Sequence, residues 1–323
     1  MRFLTIHKML LYRIFKSLKR KVKSLLIEYY KNHNKKKYAE CLFLNTFGDK
    51  IDWDAPRDLN EWINWLAFNT DTTEWSKLAD KYKVRDYVKE KGLSDILIPL
   101  YGVWDDPNDI EFDKLPQSFV LKCNNGSGDI ILINDKSKID RVEVVEQLRN
   151  NLKSKFGLET GEPHYLRIQP KIIAEHLLDK RLQEFNSSSL IDYKFWCIDG
   201  NVLFCWVDWN RDYIKHTLTV KIYDRDWHFC PQYHKDCMNI IVSNDELAKP
   251  EKWEEMIDIA ERLSLGFPQV RVDLYFVDCK IYFGEMTFTS ACGRMTYFSD
   301  EAQVLLGNKC KEAVNKLYIH NVS

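Results

Sequence analysis

The sequence has little of what marks secreted, zinc-binding or membrane-spanning proteins. Its nine cysteines are an odd number, and no two of them form a Cys-x-x-Cys pair. This pattern is typical of a reducing compartment and argues against a disulfide framework and against a zinc site. The chain also has no uncharged apolar run near the roughly 18 to 20 residues that a spanning helix needs, and no compact apolar core with a cleavage site. We therefore expect a cytoplasmic protein.

The chain has almost no net charge, but its charges are unevenly distributed. The total is -1, of which residues 1–37 carry +11 and the remaining residues -12. A protein that binds nucleic acid more often carries its positive charge on the folded body, so we expect no nucleic-acid partner. Aromatic residues make up 13% of the 323 positions, which argues against disorder. The length suggests two domains or one elaborate domain.

The first 30 residues have apolar side chains at helical spacing. Leu18, Val22 and Leu25 belong to this stripe, and lysines and arginines fill much of the remaining surface. The pattern indicates a basic amphipathic helix. We favour an anionic membrane surface as the partner of residues 1–37, because each basic residue near such a surface adds about 1 kcal/mol. Docking on the protein itself or on another protein is the alternative. The expected location is thus peripheral, on the inner face of the plasma membrane.

The rest of the chain divides into a helical and a strand-rich part. Residues 38–115 are mainly helical in pattern, with a helix expected at 78–91, ended by Gly92, and a strand at 96–104. From Ser118 onward apolar runs of strand length dominate, and Asp199-Gly200 between two of them is a strong hairpin signal. The sequence therefore predicts an α+β protein. Its expected strands are 118–123, 130–133, 171–178, 191–198, 202–208, 217–223 and 227–230, and its later helices 138–155, 250–265 and 301–317.

A predicted β-hairpin over Gln269–Thr287 carries the most informative pattern. In its first strand Arg271, Asp273 and Tyr275 share one face, and apolar residues share the other. In its second strand Glu285 lies on the same face as Thr287. A connecting loop of three or five residues would set Asp273 directly opposite Glu285, whereas a loop of two or four residues would not.

Two carboxylates that face each other across a strand pair point to a cation. They repel each other, and in a half-buried site they must share a proton or hold a cation. Magnesium suits such a pair, because it takes one or two protein carboxylates and completes its octahedron with water and phosphate oxygens. The alternative is a half-exposed hairpin whose charges face water, and the hairpin alone does not separate the two interpretations.

Lys122 is a candidate phosphate ligand. It ends an apolar strand just before a loop that contains Gly126, Ser127 and Gly128. Such a loop lets backbone N–H groups close around phosphate oxygens, and the lysine adds a point charge. The spacing is neither that of the P-loop nor that of the dinucleotide fingerprint, and an ordinary hairpin turn is the alternative.

Three other polar residues interrupt apolar strands. Glu175 and His176 stand where a strand leads into a linker, at which an adenine could pair with backbone groups, although an exposed sheet edge explains either residue alone. Lys194 stands in an aromatic strand. It could meet a phosphate, or it could pair with Asp192 or Asp208.

The order of these features resembles the ATP-grasp superfamily, and in particular its TupA-like branch, which is associated with teichuronopeptide and capsular polysaccharide synthesis. The resemblance covers about residues 75–295. The matching passages are Asp80-Lys81-Tyr82-Lys83-Val84-Arg85, Phe119-Val120-Leu121-Lys122-Cys123-Asn124-Asn125-Gly126-Ser127-Gly128, Ile172-Ile173-Ala174-Glu175, Asp192-Tyr193-Lys194-Phe195, Tyr223-Asp224-Arg225-Asp226-Trp227, Arg271-Val272-Asp273-Leu274-Tyr275 and Phe283-Gly284-Glu285-Met286-Thr287-Phe288.

The resemblance implies an ATP-grasp fold, in which two α+β subdomains hold ATP between them, with ATP and Mg²⁺ as cofactors. Together with the helical and charge patterns described above, it gives a layout of four parts. These are a basic helix at 1–37, a mainly helical region at 38–115, a lid subdomain with the glycine loop at 116–178, and a core subdomain with the metal site at 179–323.

The resemblance also assigns the nucleotide-binding residues. Lys122 would hold the α- and β-phosphates, and the loop Gly126–Gly128, with Ser127 at its centre, would close over them. Glu175 to Leu178, a stretch that includes His176, would bind adenine. Lys81 corresponds to a lysine that some members use near the phosphates.

The remaining roles implied by the resemblance fall on the hairpin and the strand beside it. Asp273 and Glu285 would be magnesium ligands, and Thr287 would ligate or hold a water. Arg271 would lie beside the γ-phosphate or the acyl-phosphate, and Lys194 would be a second cation for phosphate or substrate.

The sequence departs from the superfamily pattern after the second metal carboxylate. Many members have Asn where Thr287 stands, and of the usual glycine-rich segment Thr289–Arg294 keeps only Gly293. The loop on the acceptor side therefore differs. Arg211, His216 and Arg294 are candidate substrate residues.

The expected activity is that of an ATP-dependent carboxylate–amine ligase that acts through an acyl-phosphate and modifies a cell-surface or capsular polysaccharide or its precursor. A glycosyltransferase is the alternative, because Asp224 and Asp226 form an Asp-x-Asp, with which many sugar-nucleotide transferases hold manganese. A plain turn before Trp227 is the favoured interpretation of that motif. A non-catalytic nucleotide-binding scaffold is the third possibility.

Overall fold

The computed structural model describes residues 2–212 and 214–319, and only the backbone of residues 2–14, 318 and 319. Its α-helices are α1 (Arg2–His33), α2 (Lys35–Phe47), α3 (Leu59–Asn69), α4 (Thr73–Leu78), α5 (Val84–Glu90), α6 (Arg141–Leu152), α7 (Phe156–Thr160), α8 (Trp253–Ser264) and α9 (Asp300–Val314). Its strands are β1 (Leu100–Trp104), β2 (Phe119–Cys123), β3 (Ile130–Ile133), β4 (Ile172–Glu175), β5 (Asp192–Ile198), β6 (Asn201–Asp212), β7 (Thr217–Asp224), β8 (Ile240–Val242), β9 (Gln269–Val277) and β10 (Lys280–Thr287).

The predicted N-terminal helix is confirmed as α1, and it turns back into α2. Asn34 separates the two helices and caps α2, because its side chain accepts a hydrogen bond from the backbone N–H of Lys37. Tyr38 and Phe43 bury one side of α2. Within the described residues no helix combines the length and the apolar character that a membrane crossing requires.

A four-stranded antiparallel sheet in the order β1-β4-β2-β3 forms the first strand layer. Helix α6 packs on it through Val144 and Leu148, which contact Phe119 and Leu121 in one apolar cluster. The edge strand β1 comes from the region before residue 116, so the sheet extends into the part of the sequence expected to be mainly helical.

A second sheet of six strands has the order β10-β9-β5-β6-β7-β8. Its strands are antiparallel except for β7 and β8, which pair in parallel. Helices α3, α8 and α9 cover one face of it. The large core between them includes Leu66 of α3, Met256 of α8, Leu306 of α9 and Val272 of β9. The opposite face of β9 is left for polar side chains.

Local chemistry explains where the elements begin and end. The Asp199-Gly200 turn is confirmed, with both residues at positive φ (52° and 75°) between β5 and β6. The helix predicted at 78–91 is shorter, because Asp80 accepts from the amides of the next residues and delays α5. The strand predicted at 227–230 is wrong, since only an isolated bridge joins Tyr223 to Phe229 there.

Candidate active site

Asp273 and Glu285 lie directly opposite each other across the pair β9–β10. The strands are joined by only Asp278 and Cys279, both in the left-handed conformation. A two-residue loop was not expected to bring the carboxylates into register. A β-bulge at Gly284 supplies the missing shift by one residue, because the pairing skips from Phe283 to Glu285.

Glycine is required at the bulge for reasons of space. A Cβ on Gly284 would lie 2.9 Å from the carbonyl oxygen of Asp273 and 3.2 Å from the ring of Tyr275. Backbone therefore approaches backbone at this point more closely than any other residue type allows. The bulge is a built feature that sets the position of Glu285.

Arg271 joins the two carboxylates. Its Nε and Nη2 donate to the two oxygens of Asp273 at 2.6 Å each, and Nη2 also lies 3.0 Å from Oε1 of Glu285. Asp273 is 2% exposed. Burial alone would raise the pKa of Asp273, but the charges of Arg271 and then Lys194 outweigh burial and hold this pKa below its usual value.

Lys194 stands next to Asp273 on β5 and contacts three carboxylates. Its Nζ lies 3.3 Å from Asp273 and 3.4 Å from Asp208, and it also pairs with Asp192. Burial raises the pKa of Asp192 to about 6, with Lys194 opposing and the neighbouring carboxylates adding to the shift. The structural pairing considered for this lysine is therefore present, and the same lysine faces the expected metal carboxylate.

The two candidate substrate residues of the β6–β7 region, Arg211 and His216, lie in different surroundings. Arg211 joins the Lys194 cluster, since its Nη2 donates to Oδ1 of Asp208 at 2.7 Å. His216 lies in an exposed turn at positive φ, near Asp212.

The Asp-x-Asp motif forms a turn. Oδ1 of Asp224 accepts from the amides of Asp226 and His228 at 2.9 and 2.8 Å. Arg225, between the two aspartates, pairs with Glu261 of α8. The motif thus has the local hydrogen bonds of the plain turn that the sequence favoured.

Lys122 and Glu175 form an ion pair on the first sheet. Nζ of Lys122 lies 2.8 Å from Oε2 of Glu175, whose Oε1 lies 3.1 Å from Arg85. Glu175 is buried, and its two cations satisfy both oxygens. Arg85 is a partner that the sequence alone did not single out.

The glycine loop is tied to the turn that carries Lys81. Nζ of Lys81 donates to the carbonyl oxygen of Gly126. Asn124 at the start of the loop donates to Asp80 at 2.8 Å and accepts from the amide of Lys171 at 2.6 Å. These contacts fix the base of the loop, whereas Gly128 at its far end has φ +87° and open space around it.

Lys81 connects the loop electrostatically to both sheets. Burial lowers the pKa of Lys81, while the charge of Glu285 acts to raise it and that of Lys122 to lower it further. The lysine is therefore within the field of Glu285 on the β9–β10 hairpin and of Lys122, the phosphate candidate. Two surface cavities of about 560 and 540 Å³ lie elsewhere, lined by none of these residues.

The expected adenine linker follows β4 and turns toward the hairpin. Leu178 is buried with Ile98 and Val277, next to the partly buried Tyr275. His176 points outward, where Nδ1 lies 2.8 Å from the hydroxyl of Tyr101. The linker thus brings the end of the first sheet to the polar face of β9.

The loop after β10 holds a strained backbone. Thr287 Oγ1 donates to Oε1 of Glu285 at 3.2 Å. Ala291 and Cys292 have φ of 44° and 58°, and Gly293 follows at 63°. Arg294 donates from Nη1 to the carbonyls of Thr160 and Cys292 at 3.2 and 3.3 Å.

Sequence reasoning missed the residues that contact this loop. Glu162 accepts a hydrogen bond from the hydroxyl of Thr289. Asn60 and Asn64 of α3 form hydrogen bonds with the backbone of the loop, at Met295 and Gly293 respectively. Glu162 lies in an irregular stretch without a strand or helix period. The sequence around Glu162 shows only a glutamate among small and aromatic residues, a pattern that is too common to indicate a functional site.

The paired carboxylates fit magnesium in its usual protein setting. Among the side chains that the structure describes, no group of three or more His, Cys, Asp or Glu residues could hold a metal ion. With two protein carboxylates, water and phosphate oxygens would complete the magnesium shell. Arg271 donates to both oxygens of Asp273 and to Glu285 in this structure, so binding of Mg²⁺ there would require the guanidinium to give up part of these contacts.

The first sheet carries Lys122, and the second carries Lys194 beside the paired carboxylates Asp273 and Glu285. A family model described as TupA-like ATPgrasp matches residues 61–311. Since the match spans more than half of the chain, the protein belongs to the TupA-like ATP-grasp family. The resemblance and the fold expected from the sequence are thereby confirmed, and the family agrees with the expected class, an ATP-dependent carboxylate–amine ligase.

Solved structures of ATP-grasp enzymes are similar at low identity. D-alanine–D-alanine ligase from Bacillus anthracis, complexed with ATP, is 13% identical, over 76% of this chain and 67% of that one, with a TM-score of 0.41. PsnB, complexed with a precursor variant, Mg and ADP, is 13% identical over 80% and 65%, with a TM-score of 0.39. D-cycloserine synthetase DcsG is 15% identical over 74% and 71%, also at 0.39. The matched part spans about two thirds of each of these chains. No curated protein matches the sequence significantly.

Proposed function

We propose that this protein is an ATP-dependent carboxylate–amine ligase that works through an acyl-phosphate. One observation carries the proposal: Asp273 and Glu285 face each other in a chain of the ATP-grasp family, with Arg271 and Lys194 against the same aspartate. An acid oxygen attacks the γ-phosphorus of ATP, and the bond to the β-phosphate oxygen breaks. An amine then attacks the acyl carbon, and phosphate leaves.

Asp273 and Glu285 would hold Mg²⁺, with the hydroxyl of Thr287 beside them. The ion, when bound, neutralises charge on the nucleotide phosphates. Arg271 stabilises the negative charge that spreads over the transferred phosphoryl group, because its guanidinium already lies at the paired carboxylates. Lys194 keeps Asp273 ionised and adds a second positive charge to this face of β9.

The first sheet supplies the nucleotide contacts. Lys122 binds the α- and β-phosphates and exchanges part of its contact with Glu175 for them. Lys81 fixes the base of the loop Gly126–Gly128, whose free end closes over the phosphates. A closed loop excludes water from the acyl-phosphate and so prevents its hydrolysis. Glu175 to Leu178 would bind adenine along the linker.

The substrates proposed are an acid and an amine linked to a cell-surface or capsular polysaccharide, or to its precursor. The support is the TupA-like family, matched over residues 61–311. Arg211 and Arg294 are proposed as substrate residues, because each lies next to a catalytic element: Arg211 at the Lys194 cluster and Arg294 on the loop after β10.

Two other functions make different predictions. A glycosyltransferase would need Asp224 and Asp226 as metal ligands, but Oδ1 of Asp224 already accepts hydrogen bonds from two backbone amides. A nucleotide-binding scaffold would bind Mg-ATP without turnover. The ligase is favoured because both carboxylates and both cations of the second sheet face the same point.

Hydroxylamine tests the acyl-phosphate directly, since it converts acyl-phosphates to hydroxamates. The protein is incubated with ATP, Mg²⁺ and panels of uronic acids and amino acids. We expect ADP and hydroxamate in equal amounts with at least one acid, loss of both in Glu285→Gln, and no change in Glu261→Gln. Binding of Mg-ATP without hydroxamate from any acid would favour the scaffold, and binding of a UDP-sugar with manganese alone would favour the transferase.

We also propose that α1 lies on an anionic membrane surface at the inner face of the plasma membrane. Between residues 15 and 30 most of its apolar side chains are exposed, among them Phe15 at 58% and Leu25 at 70%, and lysines and arginines flank them. Exposed apolar area beside basic charge is the composition of interfacial helices. The other end of α1 is held to the body by the pair between Lys31 and Glu159.

Vesicle sedimentation tests this placement. We expect the protein to sediment with phosphatidylglycerol vesicles but not with phosphatidylcholine vesicles. The double substitution Leu18→Gln and Leu25→Gln should release it, because it removes apolar area and leaves every charge. Equal sedimentation of wild type and variant would refute a membrane-facing α1.

A further inference from the structure

The segment Phe156–Arg167 lies among the three parts of the proposed site. Gly126 of the glycine loop is so close to Phe156 that a Cβ on the glycine would be 3.5 Å from the Phe156 Cβ. Tyr165 packs edge-on against the Phe156 ring, with centroids 4.9 Å apart. Burial, and then the charges of Glu162 and Glu285, raise the pKa of Tyr165. The segment therefore reaches from the glycine loop to the metal hairpin.

Glu162 is the buried charge of this segment. It is 4% exposed, and Oε1 accepts from Thr289 in the loop after β10. Oε2 is buried and has no hydrogen bond within ordinary geometric limits among the described residues. Burial raises the pKa of Glu162, and the nearby hydroxyl of Thr160 and thiol of Cys292 act to lower this pKa. A buried carboxylate oxygen without a donor is costly, and native structures rarely leave one without a partner.

Other buried polar atoms without partners lie in the same neighbourhood. Both ring nitrogens of His164 and Oγ of Ser290 have no hydrogen bond among the described residues. The ring of His164 contacts Tyr165 and Trp75 at centroid distances of 4.4 and 5.8 Å, and Trp75 stacks at 5.0 Å on Phe288, two residues before Ser290. A group of unsatisfied polar atoms is what remains of a site that a polar ligand completes.

The backbone of the loop after β10 is held in a costly conformation over these atoms. Ala291 and Cys292 are non-glycine residues in the left-handed region, which costs about 1 kcal/mol or more each. Asn64 holds the loop by donating to the carbonyl of Gly293 at 3.0 Å. Ala291 is exposed, whereas Gly293 is buried. Strain of this kind persists where the surrounding structure and function require it.

We propose that Glu162 binds the amino group of the acceptor and selects amines over alcohols. Oε2 accepts a hydrogen bond from the protonated amine and then takes that proton, which frees the nitrogen lone pair for attack on the acyl carbon. An ammonium group offers three donors and a charge opposite to that of the carboxylate. A hydroxyl offers one donor and no charge. This inference rests on the proposed ligase activity, and it names the residue that would recognise the amine.

The substitution Glu162→Gln tests the negative charge of this side chain, because glutamine has nearly the same shape. Glutamine keeps an oxygen that accepts from Thr289 but removes the negative charge. Thr289→Val is the matched control, because it removes the hydrogen bond to Glu162 and leaves the charge. Unchanged thermal unfolding of Glu162→Gln shows that the variant is folded.

Binding is measured by saturation-transfer NMR with Mg²⁺ and a non-hydrolysable ATP analogue. The probes are methylammonium, D-glucosamine and alaninamide, with D-glucose as the uncharged comparison. We expect at least one amine to bind the wild type, glucose to bind more weakly, and Glu162→Gln to weaken amine binding about tenfold or more, the scale of a charge-assisted hydrogen bond. Thr289→Val should stay within about threefold.

Three outcomes would overturn the proposal. They are a wild type that binds none of the amines, amine binding that is unchanged in Glu162→Gln, and equal losses in Glu162→Gln and Thr289→Val, which would make Glu162 a clamp for the loop. Hydroxamate formation is followed in the wild type and in Glu261→Gln, whose carboxylate pairs with Arg225 outside the proposed site, and it should be equal in the two. Absence of hydroxamate from the wild type would contradict the ligase, and amine binding would still decide the role of Glu162.

Discussion

Arg271 donates to both carboxylate oxygens of Asp273, at 2.6 Å each. The two residues alternate with Val272 on β9, so the period of two puts them on the same face of the strand. Bidentate contact with a guanidinium is the strongest pairing available to a buried carboxylate. It keeps Asp273 ionised, as a metal ligand must be, at a position that is 2% exposed.

Arg271→Met should destabilise the fold. It leaves Asp273 with Lys194 as its remaining cation, and breaking a buried pair from one side costs about 3 kcal/mol or more. The measurement is the free energy of unfolding in urea at neutral pH. Arg181→Met is the control, because Arg181 is exposed and its pair with Asp179 is screened by solvent, so that its loss should change stability little. Equal losses in both variants would contradict the role given to Arg271.

Gly284→Ala should disturb the opposition of Asp273 and Glu285. The new Cβ would meet the carbonyl oxygen of Asp273 at 2.9 Å, and relief of the overlap costs about 1–3 kcal/mol. We expect lower stability together with weaker Mg-dependent nucleotide binding, measured by calorimetry. Gly266→Ala is the control, since Gly266 has φ +93° and open space, so that variant should lose about 1 kcal/mol and keep its binding. Normal binding by Gly284→Ala would show that the bulge does not position Glu285.

Ala291→Gly should stabilise the protein. Glycine adopts the left-handed conformation of Ala291 (φ 44°) without steric cost, so we expect a gain of about 1 kcal/mol in the free energy of unfolding. Ala55→Gly is the control, because Ala55 is also exposed but has negative φ and should lose stability through the freer unfolded chain. A loss in Ala291→Gly as large as in the control would refute strain in the loop.

His164 should make the fold sensitive to acid. Burial lowers the pKa of His164 to about 3, whereas an unfolded histidine has a pKa of about 6.5. As the pH falls below about 6.5 the unfolded state takes up the proton first, so the free energy of unfolding falls by about 1.4 kcal/mol per pH unit. This loss continues until the pH nears the folded value.

His164→Phe removes this dependence and fills the same space beside Trp75. Between neutral pH and about pH 5 the wild type should lose about 2 kcal/mol more than the variant. The control is His228→Phe, because the side chain of His228 is 76% exposed, and it should follow the wild type. Parallel pH curves for wild type and His164→Phe would contradict a neutral, buried His164.

The sequence predicted those features that rest on local periodicity and turn chemistry. The faces of β9, the Asp199-Gly200 turn and the strand Ile130–Ile133 follow from a period of two and from residues that accept positive φ. The family passages, read in order, predicted the ATP-grasp fold. The pairing of Lys194 with Asp192 and Asp208 was one of the two alternatives that the sequence left open.

Other features depend on contacts between distant parts of the chain. The sequence made the opposition of Asp273 and Glu285 depend on the length of the connecting loop, but a bulge at Gly284 produces it. A glycine within a strand is not enough to predict a bulge. Strand β8 has only three residues, too few to show a period. Glu162 became visible only when folding placed it against Thr289, 127 residues away.

The central claim is that Asp273 and Glu285 hold an ion that also contacts a bound nucleotide. Calorimetric titration with a non-hydrolysable ATP analogue, with and without Mg²⁺, tests it most directly, using the wild type, Asp273→Asn, Glu285→Gln and the control Glu261→Gln. We predict that Mg²⁺ tightens binding about tenfold or more in the wild type and in the control, and that both site variants lose this gain. Equal affinity with and without Mg²⁺ in the wild type, or a full gain in Asp273→Asn, would contradict the account.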